Sequence, residues 1–181
     1  MDRIEQAVDD INKHFEEIRG FATPIKLKKE FCDLSQVWQK AWNNLQALWK
    51  DRNVVLREQI KSERVSCSVD AFRLEQVFRN LFENSLAACS DPVRISVQCL
   101  TEQLDDGQYF QIQVCDNGQG LTDEQRERAF NPFYTTKTQG MGLGLPIVKR
   151  IIEHHGGQIG ILENSQSGTG FLITLPCQTL S

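Results

Sequence analysis

Asn80 and Asn84 stand four residues apart in AFRLEQVFRNLFENSLAA, a stretch whose apolar positions recur at helical spacing. One turn of helix therefore puts both amides on the same flank, beside the apolar stripe. Such a pair is answered either by backbone hydrogen bonds or by a ligand's metal and phosphates, and taken alone the backbone answer is sufficient. An amide oxygen is a hard neutral ligand suited to magnesium already partly coordinated by phosphate oxygens. Further on, Phe110, Ile112 and Val114 share one face of a strand, and the period of two carries Asp116 onto that face at the strand's end. A buried carboxylate needs donors, and the exocyclic amine of a purine is one. Asn117-Gly118 is also a strong hairpin signal, but the segment after it is capped as a helix rather than patterned as a returning strand.

Three glycine-bearing segments accompany these polar groups. Gly118 and Gly120 allow a flat ligand close to the backbone. In NPFYTTKTQGMGLGLPIVKR, Lys137 is followed by Gly140, Gly142 and Gly144 and then by a helix with Pro146 in its first turn. The N–H groups of a helix start carry partial positive charge, so this is the outline of a phosphate cradle. It has neither the G-K-[ST] of a Walker loop nor a preceding strand that would make it a dinucleotide fingerprint, and a flexible connector has the same outline. Gly168-Thr169-Gly170 fits a simple turn.

The elements that must position these residues are legible from spacing. Asp33 followed by Gln36 resembles a capping box, and Leu34, Val37, Ala41, Leu45 and Leu48 then share a face, predicting a helix to about Lys50. Residues 53–57 and 64–69 read as strands, and Asp70 caps a helix over 71–89 with Leu74, Val77, Phe78, Leu81 and Ala88 inward. Strands 93–100 and 108–115 flank DDG as a hairpin. Thr122 opens a short helix, with Gln125 completing its capping box. A helix over 145–155 stops at Gly156 and Gly157, and strands near 158–163 and 170–176 close the chain. His154 and His155 sit in that helix's last turn, where positive charge is favourable beside the helix dipole. The sum is an α/β (α+β) two-layer sandwich, helices on one mixed, largely antiparallel sheet. Before it, Ile4, Val8, Ile11, Phe15, Ile18 and Ala22 form a heptad seam, so residues 2–22 read as an amphipathic helix. Its partner is another helix, another subunit or its own domain.

A chain of 181 residues holds one domain with an appendage. With 40% hydrophobic and 24% charged residues and a net charge of -4, it has no long-range attraction to nucleic acid or to anionic membrane. No apolar run approaches the ~20 residues needed to cross a bilayer, and the acidic N-terminus lacks a signal-peptide core. The six cysteines, Cys32, Cys67, Cys89, Cys99, Cys115 and Cys177, contain no C-x-x-C pair and read as reduced, buried thiols. Together with the three histidines they offer no metal cage, which makes a cytosolic (cytoplasmic) compartment the default, compatible with an upstream membrane segment.

In this order, NLFENSLAA, DNGQGL, NPFYTTKTQGMGLGL and GTGF resemble the N box, first glycine box, ATP lid with second glycine box, and final glycine box of the GHKL ATPase superfamily. They cover roughly residues 71–176, and PFYTTK followed by GMGLGLPIVKRIIEHHGG is similar to sensor histidine kinases of the nitrogen-regulation type. The resemblance implies the Bergerat ATP-binding fold over residues 30–178, with residues 1–24 a fragment of the second helix of a dimerisation hairpin. It implies ATP and magnesium as ligands. Asn84 would ligate magnesium, Asn80 would assist through phosphate or metal-bound water, and Asp116 would recognise the adenine amino group. Gly118, Gly120 and Leu121 would line the base, with Thr169 at its edge. Thr135, Thr136, Lys137, Gly140, Gly142, Leu143, Gly144 and Leu145 would form the phosphate side, and Phe130, Phe133 and Tyr134 would anchor the lid.

ATPases of this superfamily carry a glutamate base one turn before the metal-binding asparagine. Here that position is Asn80, and an amide cannot take a proton from water, so transfer to an external nucleophile fits better than hydrolysis. His14 is followed by Phe15 and Glu16 rather than by an acceptor pattern, which puts the phosphoacceptor histidine helix upstream or in trans. A response regulator and a homodimer through the N-terminal helix are the partners implied. The alternatives are a nucleotide-sensing or degenerate module without transfer, and a serine kinase of the same superfamily.

Overall fold

The computed structural model of the chain describes residues 18–19, 21, 23–62, 65–104, 107–137, 140–162 and 168–177. Most of the heptad seam, with His14, lies outside them. The described strands are β1 (Glu30–Asp33), β2 (Val54–Ile60), β3 (Ser66–Val69), β4 (Val93–Leu104), β5 (Gly107–Asp116), β6 (Gln158–Ile161) and β7 (Gly170–Pro176). The helices are α1 (Leu34–Asn43), α2 (Gln46–Trp49), α3 (Ala71–Ala88), α4 (Asp123–Arg128) and α5 (Gly144–His154).

Five strands form the main sheet in the order β2-β4-β5-β7-β6, parallel only where β2 meets β4. In β5 the predicted alternation holds: Phe110, Ile112, Val114 and Asp116 are buried, and the residues between them are partly exposed. That buried face meets the apolar faces of α1, α3 and α5 in one core, where Trp38, Phe78, Phe82 and Ile151 are fully enclosed. The opposite face of the sheet carries Gln59, Gln98 and Gln113 around a shallow groove, well suited to water. The layered fold is therefore the expected sandwich, with one addition. β1 and β3 pair antiparallel as a separate two-stranded sheet beside the main one.

Several local expectations are corrected. The helix predicted to run to Lys50 stops at Asn43 and resumes for one turn at Gln46, so Leu48 is 52% exposed instead of inward. Asp33 caps α1 by accepting from the N–H and hydroxyl of Ser35, not through a reciprocal box with Gln36. On α3, Ala88 is exposed, and Phe82, Ser85, Leu86 and then Cys89 continue the buried stripe. By 100° per residue Ala88 still points the way of Leu81, but it is the last residue of α3, and the chain leaves the helix at Cys89 in an extended conformation. β2 extends to Ile60, and the β4–β5 ladder reaches Leu104 opposite Gly107, longer than the hydrophobic runs alone suggest. The capping box of α4 forms as read, with Thr122 Oγ1 accepting from the Gln125 N–H and Gln125 Oε1 from the Thr122 N–H.

His155 departs furthest from expectation. It is 3% exposed, and its Nε2 accepts a 3.0 Å hydrogen bond from the N–H of Asp70, the N-cap of α3. Its Nδ1 lies 2.8 Å from the Ile151 carbonyl, so the ring is a neutral Nδ1–H tautomer joining the end of α5 to the start of α3. Burial holds its pKa below the ordinary 6.5, opposite to the positive charge expected at a helix C-terminus.

Candidate active site

Asp116 closes the buried row of β5 and is itself 7% exposed. Its Oδ1 accepts from the N–H of Gly118 (2.9 Å) and of Thr169 (3.0 Å), and its Oδ2 from the hydroxyl of Ser85 (3.0 Å). Three elements thus converge on one carboxylate: the loop after β5, the turn before β7, and α3. The Cys89 thiol also lies against this carboxylate, and burial with the nearby Asp116 charge pushes it up to about 11. It stays protonated at neutral pH. Asn117 makes no hairpin turn; its side chain binds the N–H of Arg94 and the carbonyl of Pro92 instead.

Glycine is required around this group. A Cβ at Gly168, where φ is +84°, would sit 1.9 Å from the Asp116 carbonyl oxygen. One at Gly118 would sit 2.9 Å from the Ala88 carbonyl oxygen. Gly120 brings the loop after β5 against Gly168, so the first and last glycine segments form one wall. Arg126 reinforces that wall by donating to the carbonyls of Leu121 and Leu162.

Across α3, Asn80 Nδ2 donates to the Gln76 carbonyl at 3.0 Å. Its Oδ1 faces the start of α5, and a Cβ at Gly144 would meet it at 3.2 Å. The N-terminal amides of α5 are thereby brought beside the α3 amide pair. Asn84 Oδ1 accepts from Lys137 Nζ at 2.6 Å. Asn80, Asn84, Lys137 and Gly144 therefore come together, while Asp116, Gly118, Gly120 and Thr169 gather further along the same helix around Ser85. Thr135 and Thr136 are exposed in the lid, where Thr135 Oγ1 accepts from the Lys137 N–H. Gly140 is exposed with nothing near its Cβ direction, but Gly142 is packed: a Cβ there would lie 2.5 Å from the Tyr134 carbonyl oxygen. Leu143 is buried and accepts the first helical hydrogen bond of α5 from Ile147, and Leu145 packs at the core's margin.

The three aromatic residues expected to anchor the lid behave differently. Phe130 packs against the core, and Tyr134 lies 4.4 Å under the Arg128 guanidinium. Phe133 is 63% exposed at φ 65°, with its ring edge-on to Phe21, 6.4 Å away. Arg150 of α5 covers Phe21 and donates to its carbonyl, so the N-terminal segment touches both the lid and the helix below it. Reading by spacing missed Ser85, Cys89, Arg126 and Arg150. Only Ser85 had a usable signal, being one residue from Asn84 on the inward side of a polar break in the stripe.

Among the described residues no group of three or more His, Cys, Asp or Glu is placed to hold a metal. A metal at Asn84 would thus bind one neutral amide oxygen and the oxygens of a phosphate ligand, a donor set that suits magnesium. That oxygen already faces the Lys137 ammonium, so its surroundings accept a cation. The residues present fit the ion.

The mixed sheet, with a buried carboxylate at the end of an antiparallel strand and an amide pair along the covering helix, differs from the parallel nucleotide-binding folds. The family model described as "Histidine kinase-, DNA gyrase B-, and HSP90-like ATPase" matches residues 69–179, and the chain belongs to that family. It is 30% identical over 183 residues to the adaptive-response sensory kinase SasA of Prochlorococcus marinus (strain MIT 9303), covering 97% of this chain and 49% of the relative. With the sensor histidine kinase ZraS of Salmonella typhimurium it shares 32% identity over 168 residues, 93% of this chain and 36% of the relative. The catalytic domain of histidine kinase ThkA superposes with a TM-score of 0.72 at 28% identity, covering 83% of this chain and 96% of that one. The chain thus spans about half the length of the SasA relative it matches.

Proposed function

We propose that this chain is the ATP-binding catalytic part of a sensor histidine kinase of a two-component system, passing the γ-phosphoryl group of ATP to a histidine outside the chain. The observation that carries the reading is at position 80. One helical turn before Asn84 stands an amide whose N–H is committed to the Gln76 carbonyl, where a hydrolytic relative would hold a carboxylate base. Without that base, water is not activated at this point and an external nucleophile is favoured.

In this reading Asp116 accepts from the adenine amino group, held rigid by Ser85, Gly118 and Thr169. The walls formed by Gly118, Gly120 and Leu121 take the base. The α5 start and Lys137 offset phosphate charge, and Lys137 moves from the Asn84 oxygen to the phosphates as ATP enters. Magnesium, held by Asn84 and the phosphate oxygens, would supply charge neutralisation at the transferred group. The remaining barrier is met by alignment, with the incoming imidazole nitrogen in line with the leaving oxygen.

The acceptor helix lies upstream or in another subunit, and a response regulator then takes the phosphoryl group. ThkA has been solved in complex with the response regulator TrrA, and this chain superposes on that histidine kinase with a TM-score of 0.78 at 24% identity. In this reading the domain works in the cytoplasm, where ATP is available. No described helix is long and apolar enough to cross a membrane. The test is transfer of label from radiolabelled ATP, with magnesium, to a separately made acceptor-helix fragment. Label lost in acid and kept in base is expected. Acid-stable label would instead indicate a serine kinase, and binding without label a nucleotide sensor.

A further inference from the structure

Two of the six cysteines face each other in the small sheet. Cys32 of β1 and Cys67 of β3 are directly opposed antiparallel partners, so their side chains leave the same face. Two positions along, Leu34 donates its N–H to the carbonyl of its own partner Val65. Because pair types alternate, Cys32 and Cys67 are a hydrogen-bonded pair, whose Cα atoms are about 5.5 Å apart. That is the commonest Cα separation in disulfides, about 5.5–6 Å. Cys67 is fully buried, and Cys32 is half-buried at the margin of the same core. Burial, together with the neighbouring Cys177 and Cys32 thiols, pushes the Cys67 thiol up to about 12.

We propose that Cys32 and Cys67 are an oxidative modification site, closed to a cross-strand disulfide by low-molecular-weight disulfides of the glutathione type. The Cys32 thiolate attacks one sulfur of the oxidant and expels a glutathione thiolate, giving a mixed disulfide. The Cys67 thiolate then attacks the Cys32 sulfur and expels the second glutathione. Two protein thiols are oxidised by two electrons, two protons are released, and one glutathione disulfide is reduced to two thiolates that take up those protons. Burial, with Glu30 and Asp33 nearby, holds the Cys32 thiol above its ordinary value, and burial does the same to Cys67, so both steps are slow at neutral pH and faster in alkali.

The position gives the bond a consequence. β1 leads into Asp33, the N-cap of α1, and β3 leads into Asp70, the N-cap of α3, which carries Asn80 and Asn84. A bond between the strands ties the entrances of both helices, and Asp70 already holds the chain before β1 through the Lys28 N–H. Cross-linking should raise the melting temperature by roughly 5–10 °C, since the closed loop is long.

The experiment treats the whole chain with glutathione disulfide, alkylates remaining thiols and digests with trypsin without reductant. Cys32 falls on EFCDLSQVWQK and Cys67 on VSCSVDAFR, two separate peptides. Their disulfide-linked mass is expected, together with the rise in melting temperature and the loss of both in Cys32→Ser. A Cys67–Cys177 link, a glutathione adduct on Cys32 that never resolves, or six unmodified thiols would each overturn the proposal.

Discussion

Asp116 accepts from the Gly118 and Thr169 N–H groups and the Ser85 hydroxyl, with the Cys89 thiol against it as well, so three segments depend on this one carboxylate. Hydrogen bonds to a charged group contribute about 1.5–3 kcal/mol each. An asparagine here would have to turn its NH2 toward one existing donor or toward the ligand's own amine. Asp116→Asn is therefore expected to weaken ATP binding about tenfold or more by calorimetry, with an unchanged far-ultraviolet circular dichroism spectrum; unaltered affinity would remove the adenine assignment. Asn84 separates metal chemistry from base recognition. Asn84→Ala should reduce transfer to the acceptor fragment by about a hundredfold or more, the scale of a lost charge-stabilising contact, while ATP binding in the presence of chelator stays near that of the parent chain.

At the scale of elements, the glycine segments divide into crowded and merely twisted positions. Gly168 has both a positive φ and a Cβ path ending on the Asp116 carbonyl, whereas Gly140 has the positive φ alone. Gly140→Ala should cost about 1–2 kcal/mol at most, the penalty of a left-handed backbone. Gly168→Ala must displace the β5 end as well, so urea denaturation should show a clearly larger loss, with ATP binding lost too. Equal effects of the two substitutions would mean that the Gly168 turn tolerates movement.

The contact between α5 and α3 through His155 responds to pH. The folded-state pKa is lowered, so between that value and 6.5 the unfolded chain binds more protons than the folded one. The contribution is complete above the ordinary value and declines as pH falls below 6.5, by up to about 1.4 kcal/mol per pH unit. Lys29, Asp70 and His154 are the charged and titratable groups facing the ring, and Asp70 is the one that favours its protonation. Denaturation at pH 7.5 and 5.5 should show this loss in the parent chain and a smaller one in His155→Gln. Parallel pH profiles would place the acid sensitivity elsewhere.

For the whole molecule, the contact that matters is between the N-terminal segment and the domain. Arg150 donates to the Phe21 and Thr23 carbonyls, and Phe21 lies edge-on to Phe133 of the lid. Phe21 and Thr23 are thus seated on the domain, and the expected homodimer through the heptad seam of residues 2–22 is open to test. Light scattering is expected to give a dimer for the full chain and a monomer after removal of residues 1–24, both folded. A monomeric full chain would return the seam to an ordinary surface helix.

The layered architecture and the residues with chemical capacity are legible in residue spacing alone. Period two in QYFQIQVCD put Asp116 on the buried face, a four-residue interval put Asn80 and Asn84 on one flank, and Thr122 with Gln125 marked a helix start. These are local rules, set by the geometry of a few successive residues, and they survive folding unchanged. Which distant groups meet is a property of the packed fold. It set Ser85 and Thr169 on the Asp116 carboxylate, Lys137 on Asn84, His155 on the α3 cap and Cys32 opposite Cys67, and it left Leu48 and Ala88 outside. Each of these pairings joins segments far apart in the chain, or turns on where a helix stops. They depend on packing the whole core at once, which no short window of residues specifies.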